Sequence, residues 1–101
     1  KIFPKIHQSY FEKINENELK RFSEALRISL TKLRCGLNDP DYNFYIHTAP
    51  VKDDVDWHHY HWHVEILPKT GIWAGFELGT GIEISTIEPE NAAEFLKKVK
   101  V

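Results

Sequence analysis

From Leu19 to Leu33 the apolar residues return every three or four positions, and from Asn43 onward they return every second one. That change of period constrains the fold more than any other feature, because the first spacing belongs to a helix and the second to a strand. Asn15 to Gly36 reads as a single helix with Leu19, Phe22, Leu26, Leu30 and Leu33 along one stripe. Asn15 and Glu18 have the form of a capping box, and Gly36 suits the left-handed residue that closes a helix. After the turn "LNDPDY", the stretch "NFYIHTAP" puts Phe44 and Ile46 on one side and Tyr45 and His47 on the other, and Pro50 ends it.

The segment "HHYHWHVEILPK" holds four of the six histidines. Alternation predicts a strand with Tyr60, Trp62, Val64 and Ile66 on its apolar face and His59, His61, His63 and Glu65 in a row on the other. The polar "VKDDVD" before it serves as a loop or hairpin connection. "GIWAGFELGTG", Gly71 to Gly81, carries four of the five glycines and predicts a tight turn or a close backbone approach. "IEIS" after it alternates like a short strand. Glu88 to Val99 reads as a closing helix, with Pro89 at its first position and Lys97 and Lys98 at its end. Helix, strand, strand, glycine-rich turn, strand and helix, with a strand stub at residues 1 to 4, make an α+β fold: a mainly antiparallel sheet with helices packed on one side.

At 101 residues, 42% of them apolar, the chain is sized for one domain, residues 1 to 101. A formal charge of −2 with both signs interspersed offers no basic face to nucleic acid. No apolar run approaches the roughly 18 residues that span a bilayer. The lone Cys35 cannot form an internal disulfide, and a cytoplasmic location is the default expectation. The opening "KIFP" begins as though inside an element, which suggests a piece of something longer.

Two histidines at i and i+2 on a strand project the same way, roughly 6.5–7 Å apart by the strand rise, within reach of one metal ion. His47 on the preceding strand can add a third nitrogen if the two strands pair. A solvated histidine face explains the same pattern without a ligand. A third reading makes His63 a nucleophile toward phosphorus, its tautomer held by Glu65 or a backbone carbonyl and the phosphates met by Gly75, Gly79 and Gly81. "GFELGTG" lacks the Gly-Lys-Ser/Thr ending of a P-loop, so it does not decide the matter. Cys35 reads as a packing residue, His7, His58 and His59 as surface residues, and the tryptophans as core or interface.

Together, "PKIHQSYFEKIN", "YNFYIHTAP", "YHWHVEILPK" and "AGFELGTGIEIS" resemble, in this order, the C-terminal half of galactose-1-phosphate uridylyltransferase and related sugar-nucleotide phosphorylases of the histidine triad superfamily. That resemblance implies two histidine-triad-like repeats, with the nucleophilic histidine in a first repeat that this chain does not contain. His63 then stands where that nucleophile would be, without acting as one. The resemblance assigns His47, His61 and His63 to a structural zinc or iron ion, with a glutamate from the other repeat as fourth ligand. It assigns hexose and phosphate recognition to Phe76 and Glu77, with Gly79, Thr80 and Gly81 beside them. A lysine that some uridylyltransferases carry before that segment has no counterpart here, where Gly71 or Ile72 stands and Lys69 is only nearby.

The function so implied is the C-terminal domain of a sugar-1-phosphate nucleotidyltransferase, which exchanges hexose 1-phosphate with UDP-sugar, is inactive alone, pairs with its N-terminal repeat and forms a homodimer. The rival readings are an autonomous nucleotide hydrolase or transferase using His63, against which the third triad position holds Glu65, and a non-catalytic metal-binding or dimerisation module.

Overall fold

The computed structural model describes residues 1–101. A 3-10 turn (Phe11–Lys13) precedes helix α1 (Glu16–Gly36), strands β1 (Tyr42–His47) and β2 (His63–Pro68), and helices α2 (Gly75–Thr80) and α3 (Pro89–Lys98). The architecture is the expected α+β one, built on a two-stranded antiparallel sheet.

α1 starts where its cap dictates. Asn15 Oδ1 accepts the Glu18 backbone N–H at 3.0 Å, and Glu18 Oε2 accepts the Asn15 N–H at 2.8 Å, so two free N–H groups of the first turn are satisfied reciprocally. The other end departs from expectation. The left-handed residues are Asn38 (φ 60°) and Asp39 (φ 55°), whereas Gly36 is the last helical residue. Gly36 is needed for space, because a Cβ there would stand 3.1 Å from both Phe95 and Val99 of the α3 region. Lys32 fastens the same contact: its Nζ donates to the carbonyls of Leu96 (2.8 Å), Val99 (3.0 Å) and Lys97 (3.2 Å). A cation there meets carbonyls that a helix end leaves without partners.

β1 and β2 pair in the register Phe44 to Ile66, Tyr45 to Glu65, Ile46 to Val64 and His47 to His63. Ile2 bridges the far edge of β2, exchanging two backbone hydrogen bonds of 2.9 Å with Val64. Val64 is therefore flanked on both sides and wholly buried. Next to it Trp62, 3% exposed, meets the edges or faces of Phe11 and Phe22 at centroid distances of 5.1 and 5.8 Å. Its Nε1 donates to Gln8 Oε1 at 3.1 Å, and Gln8 Nε2 donates to Glu18 Oε1 at 2.8 Å. The capping glutamate of α1 is thus tied to the core tryptophan through one amide.

Three expectations are corrected. β2 begins at His63 rather than near Tyr60, because the preceding residues turn: Tyr60 N–H bonds to the Trp57 carbonyl and Trp62 N–H to that of Gln8. The Gly71–Gly81 stretch contains a short helix instead of a turn alone, and only Gly81 (φ 71°), its C-cap, uses a conformation that side chains resist. "IEIS" is not a strand: no partner edge lies beside it, and Ile82 and Ile84 are more than half exposed.

Only Ala49, Trp62 and Val64 are fully buried, while Phe3, Ile72, Phe76, Leu78, Ile82, Ile87 and Phe95 are exposed. The radius of gyration is 16.3 Å, against about 13 Å for a compact domain of a hundred residues. Much apolar surface is therefore left uncovered by the chain's own packing.

Candidate metal centre and glycine segment

The strand register decides which histidines meet. His47 lies directly opposite His63, and Tyr45 opposite Glu65, so Glu65 is the diagonal neighbour of His47 on the same face. The His47 and His63 rings stack with centroids 4.6 Å apart and planes 19° from parallel. Phe3 also stacks on His63, at 5.1 Å, and Tyr45 approaches His47 edge-on at 5.2 Å. Aromatic packing thus holds both imidazoles in place.

The hydrogen bonds set the chemistry of these rings. His63 Nδ1 lies 3.1 Å from the His61 carbonyl, and because a carbonyl only accepts, Nδ1 carries the proton and Nε2 keeps its lone pair. A backbone carbonyl, not Glu65, does the tautomer-setting work. His47 Nε2 is buried and has no hydrogen-bond partner, although it lies 3.3 Å from Glu65 Oε2. Glu65 Oε1 faces Lys1 Nζ at 3.5 Å. One donor atom from each of His47, His63 and Glu65 falls within 4.8 Å of the others.

These residues fit a zinc or iron ion. An orphaned buried imidazole nitrogen is costly unless something accepts its proton or takes its lone pair. A second imidazole whose other nitrogen donates to a carbonyl is oriented as metal-ligating histidines are. Neutral nitrogen plus carboxylate oxygen is a donor set that both ions accept.

His61 lies outside this trio. Its Nε2 donates to the Pro4 carbonyl at 2.9 Å, and its ring meets His7 edge-on at 5.1 Å and Phe3 at 6.1 Å. The cause is local: residue 61 precedes β2, in the turn that takes Trp62 to Gln8. His7 and His58 are exposed, and a His7 Nε2 to His58 carbonyl hydrogen bond joins their segments. Asp56 accepts the His58 backbone N–H and the His58 ring, both at 2.9 Å. Those two bonds, the backbone one foremost, hold the Asp56 carboxyl below its ordinary range.

Phe76 to Gly81 lies apart from the trio, on α2 and its cap. Phe76 is 53% exposed, Glu77 is half-buried, and Gly79 and Gly81 have open space where a Cβ would be. Thr80 Oγ1 donates to the Phe76 carbonyl at 2.8 Å and accepts the Ile82 N–H at 3.1 Å. The segment is ordered internally and presents Phe76 and Leu78 outward. Sequence reasoning placed Glu65 as a group that could hold the His63 tautomer; the signal that marks it is His63-Val64-Glu65, an i, i+2 pair beside a histidine on the paired strand.

No family model matches the sequence. The chain is 35% identical over 101 residues to ADP-glucose phosphorylase of Arabidopsis thaliana, covering 99% of this chain and 29% of that protein. It is 30% identical over 108 residues to galactose-1-phosphate uridylyltransferase of Thermotoga maritima, covering 99% and 34%. The crystal structure of the Arabidopsis ADP-glucose phosphorylase with bound ADP-glucose superposes with a TM-score of 0.87 at 34% identity, over 98% of this chain and 32% of that one. The chain is therefore homologous to these enzymes along nearly its whole length and has the fold of a domain of a galactose-1-phosphate uridylyltransferase-like protein. It spans about a third of the length of the curated relatives it matches. No helix is long and apolar enough to cross a membrane.

Proposed function

We propose that this chain is the C-terminal repeat of a sugar-1-phosphate nucleotidyltransferase and supplies its scaffold and hexose-phosphate contacts. The observation that carries the reading is the homology over 99% of the chain to two enzymes of this chemistry, one named for ADP-glucose and one for galactose 1-phosphate. What they share is a nucleotidyl group moved between phosphate oxygens. An imidazole nitrogen of the first repeat attacks the α-phosphorus of a nucleoside diphosphate sugar such as UDP-glucose, and the bond to the departing hexose 1-phosphate breaks. An oxygen of the incoming phosphate then attacks the same phosphorus and frees the imidazole.

This chain's residues bind and position. Phe76 and Glu77 approach the hexose, with Gly79, Thr80 and Gly81 beside its phosphate, and the exposure of Phe76 supports a partner that completes the site. That partner is the N-terminal repeat or the second subunit of a homodimer, and the uncovered apolar surface supports both contacts. His47 and His63 hold a zinc or iron ion whose contribution is to clip β1 to β2, while His61, the third histidine the resemblance assigns to the ion, is turned away to the Pro4 carbonyl. The setting is the cytoplasm.

The test is turnover. Incubated alone with UDP-glucose and galactose 1-phosphate, or with ADP-glucose and phosphate, the chain is expected to give no product. Product formation that His63→Ala abolishes would assign the nucleophile to this chain and overturn the reading.

A further inference from the structure

We infer that Glu65 is itself a metal ligand, so that this chain supplies a two-histidine, one-carboxylate donor set from β1 and β2 without borrowing a carboxylate from another repeat. The inference rests on the metal reading above and deepens it.

Three observations converge on Glu65. The first is distance: Glu65 Oε2 lies 3.3 Å from His47 Nε2. Two donors bound to one tetrahedral ion by bonds of about 2.0–2.1 Å stand roughly 3.3–3.4 Å apart. A pair held at that separation by the strand register needs little rearrangement to share an ion. The second is the lack of a hydrogen bond there. His47 Nε2 is buried, has an acceptor at 3.3 Å and still makes no bond with it. A lone pair directed at a shared cation explains that orientation, whereas an imidazole N–H pointed at a carboxylate would not leave it unused. The third is preparation of the remaining donor. The His61 carbonyl fixes the proton on His63 Nδ1, which leaves Nε2 as the ligating atom, and the His47 and His63 rings, stacked 19° from parallel, tilt apart for both in-plane lone pairs to reach one ion.

The groups around the site suit a divalent cation. Among the three donors the only formal charge is that of Glu65, so the set plus a divalent ion carries one net positive charge. Lys1 meets the other carboxylate oxygen at 3.5 Å and is half exposed, free to swing away. Carboxylate plus imidazole favours zinc, cobalt(II) or iron(II) over calcium or magnesium.

Cobalt(II) is the probe, because its visible absorption reports donor type and number. The exposed His58 and His59 are first removed in a His58→Ala/His59→Ala background so that they do not bind the ion adventitiously. In that background Glu65→Gln is expected to weaken cobalt affinity at least tenfold and to shift the visible band, with the far-ultraviolet circular dichroism unchanged. Glu65→Asp, which keeps the carboxylate, is expected to recover part of the affinity. If His47→Ala weakens binding and Glu65→Gln and Glu65→Ala do not, Glu65 is no ligand and the inference falls while the metal reading stands. If the background protein binds no cobalt at millimolar concentration, the metal reading falls and takes the inference with it.

Discussion

Trp62 is where the fold and the candidate site depend on the same side chain. It is 3% exposed, sits among Phe11 and Phe22, and is preceded and followed by His61 and His63. An indole of this size removes about 200 Å² from water, and at about 25 cal/mol per Å² that stabilises by about 5 kcal/mol. A compact unfolded chain lowers the figure by roughly 10–40%, to about 3–4.5 kcal/mol, within the range of about 3–5 kcal/mol found for Trp→Ala in cores. With total stability of about 5–15 kcal/mol for a small domain and three fully buried residues here, Trp62→Ala removes a large share of it. Trp62→Phe isolates the polar part: the ring contacts persist, and Gln8 Oε1 loses the donor it meets at 3.1 Å, a loss of about 1–2 kcal/mol. Urea unfolding followed by circular dichroism measures both. For a slope of about 1 kcal/mol per molar, the Phe variant shifts the midpoint down by about 1–2 M and the Ala variant by about 3–4.5 M. An Ala variant within 1 kcal/mol of the parent would refute the assignment of Trp62 as the centre of the core.

Replacing Lys32 by Met strips the cation from three carbonyls at the end of α3 and should lower local stability by about 1–3 kcal/mol, read as faster amide exchange across residues 89–99 with α1 unchanged. Gly81→Ala forces a side chain into φ 71° and should cost about 1 kcal/mol, fraying α2 at its end, visible as weakened nuclear Overhauser contacts between Thr80 and Ile82. The Asp56 carboxyl, held below its ordinary range by hydrogen bonds from His58, gives a stabilisation present above its unfolded value and lost as pH falls through the depressed folded one. The His58 amide resonance should therefore move toward its random-coil position at acid pH, and Asp56→Asn should shift or flatten that transition.

Local rules in the chain were enough for its long-period elements. The Asn15–Glu18 capping box, the apolar stripe of α1, Pro89 at the start of α3 and the faces of β1 are set by neighbours within a few residues, and the structure has them where the pattern puts them. The resemblance to sugar-nucleotide enzymes was also readable from motif order, and the relatives and fold agree with it. Contacts across the chain decided the rest. Gly36 reads as a helix terminator until α3 is seen against it, and "IEIS" reads as a strand until its missing partner edge is seen. Alternation put His61 and His63 on one face, but the bond from Trp62 N–H to Gln8 ends the strand at His63 and draws His61 toward Pro4. The i, i+2 rule holds only while the backbone stays paired. Which histidines meet, and that Glu65 joins them, follows from the register of β1 on β2, a property of two segments that no single stretch of sequence contains.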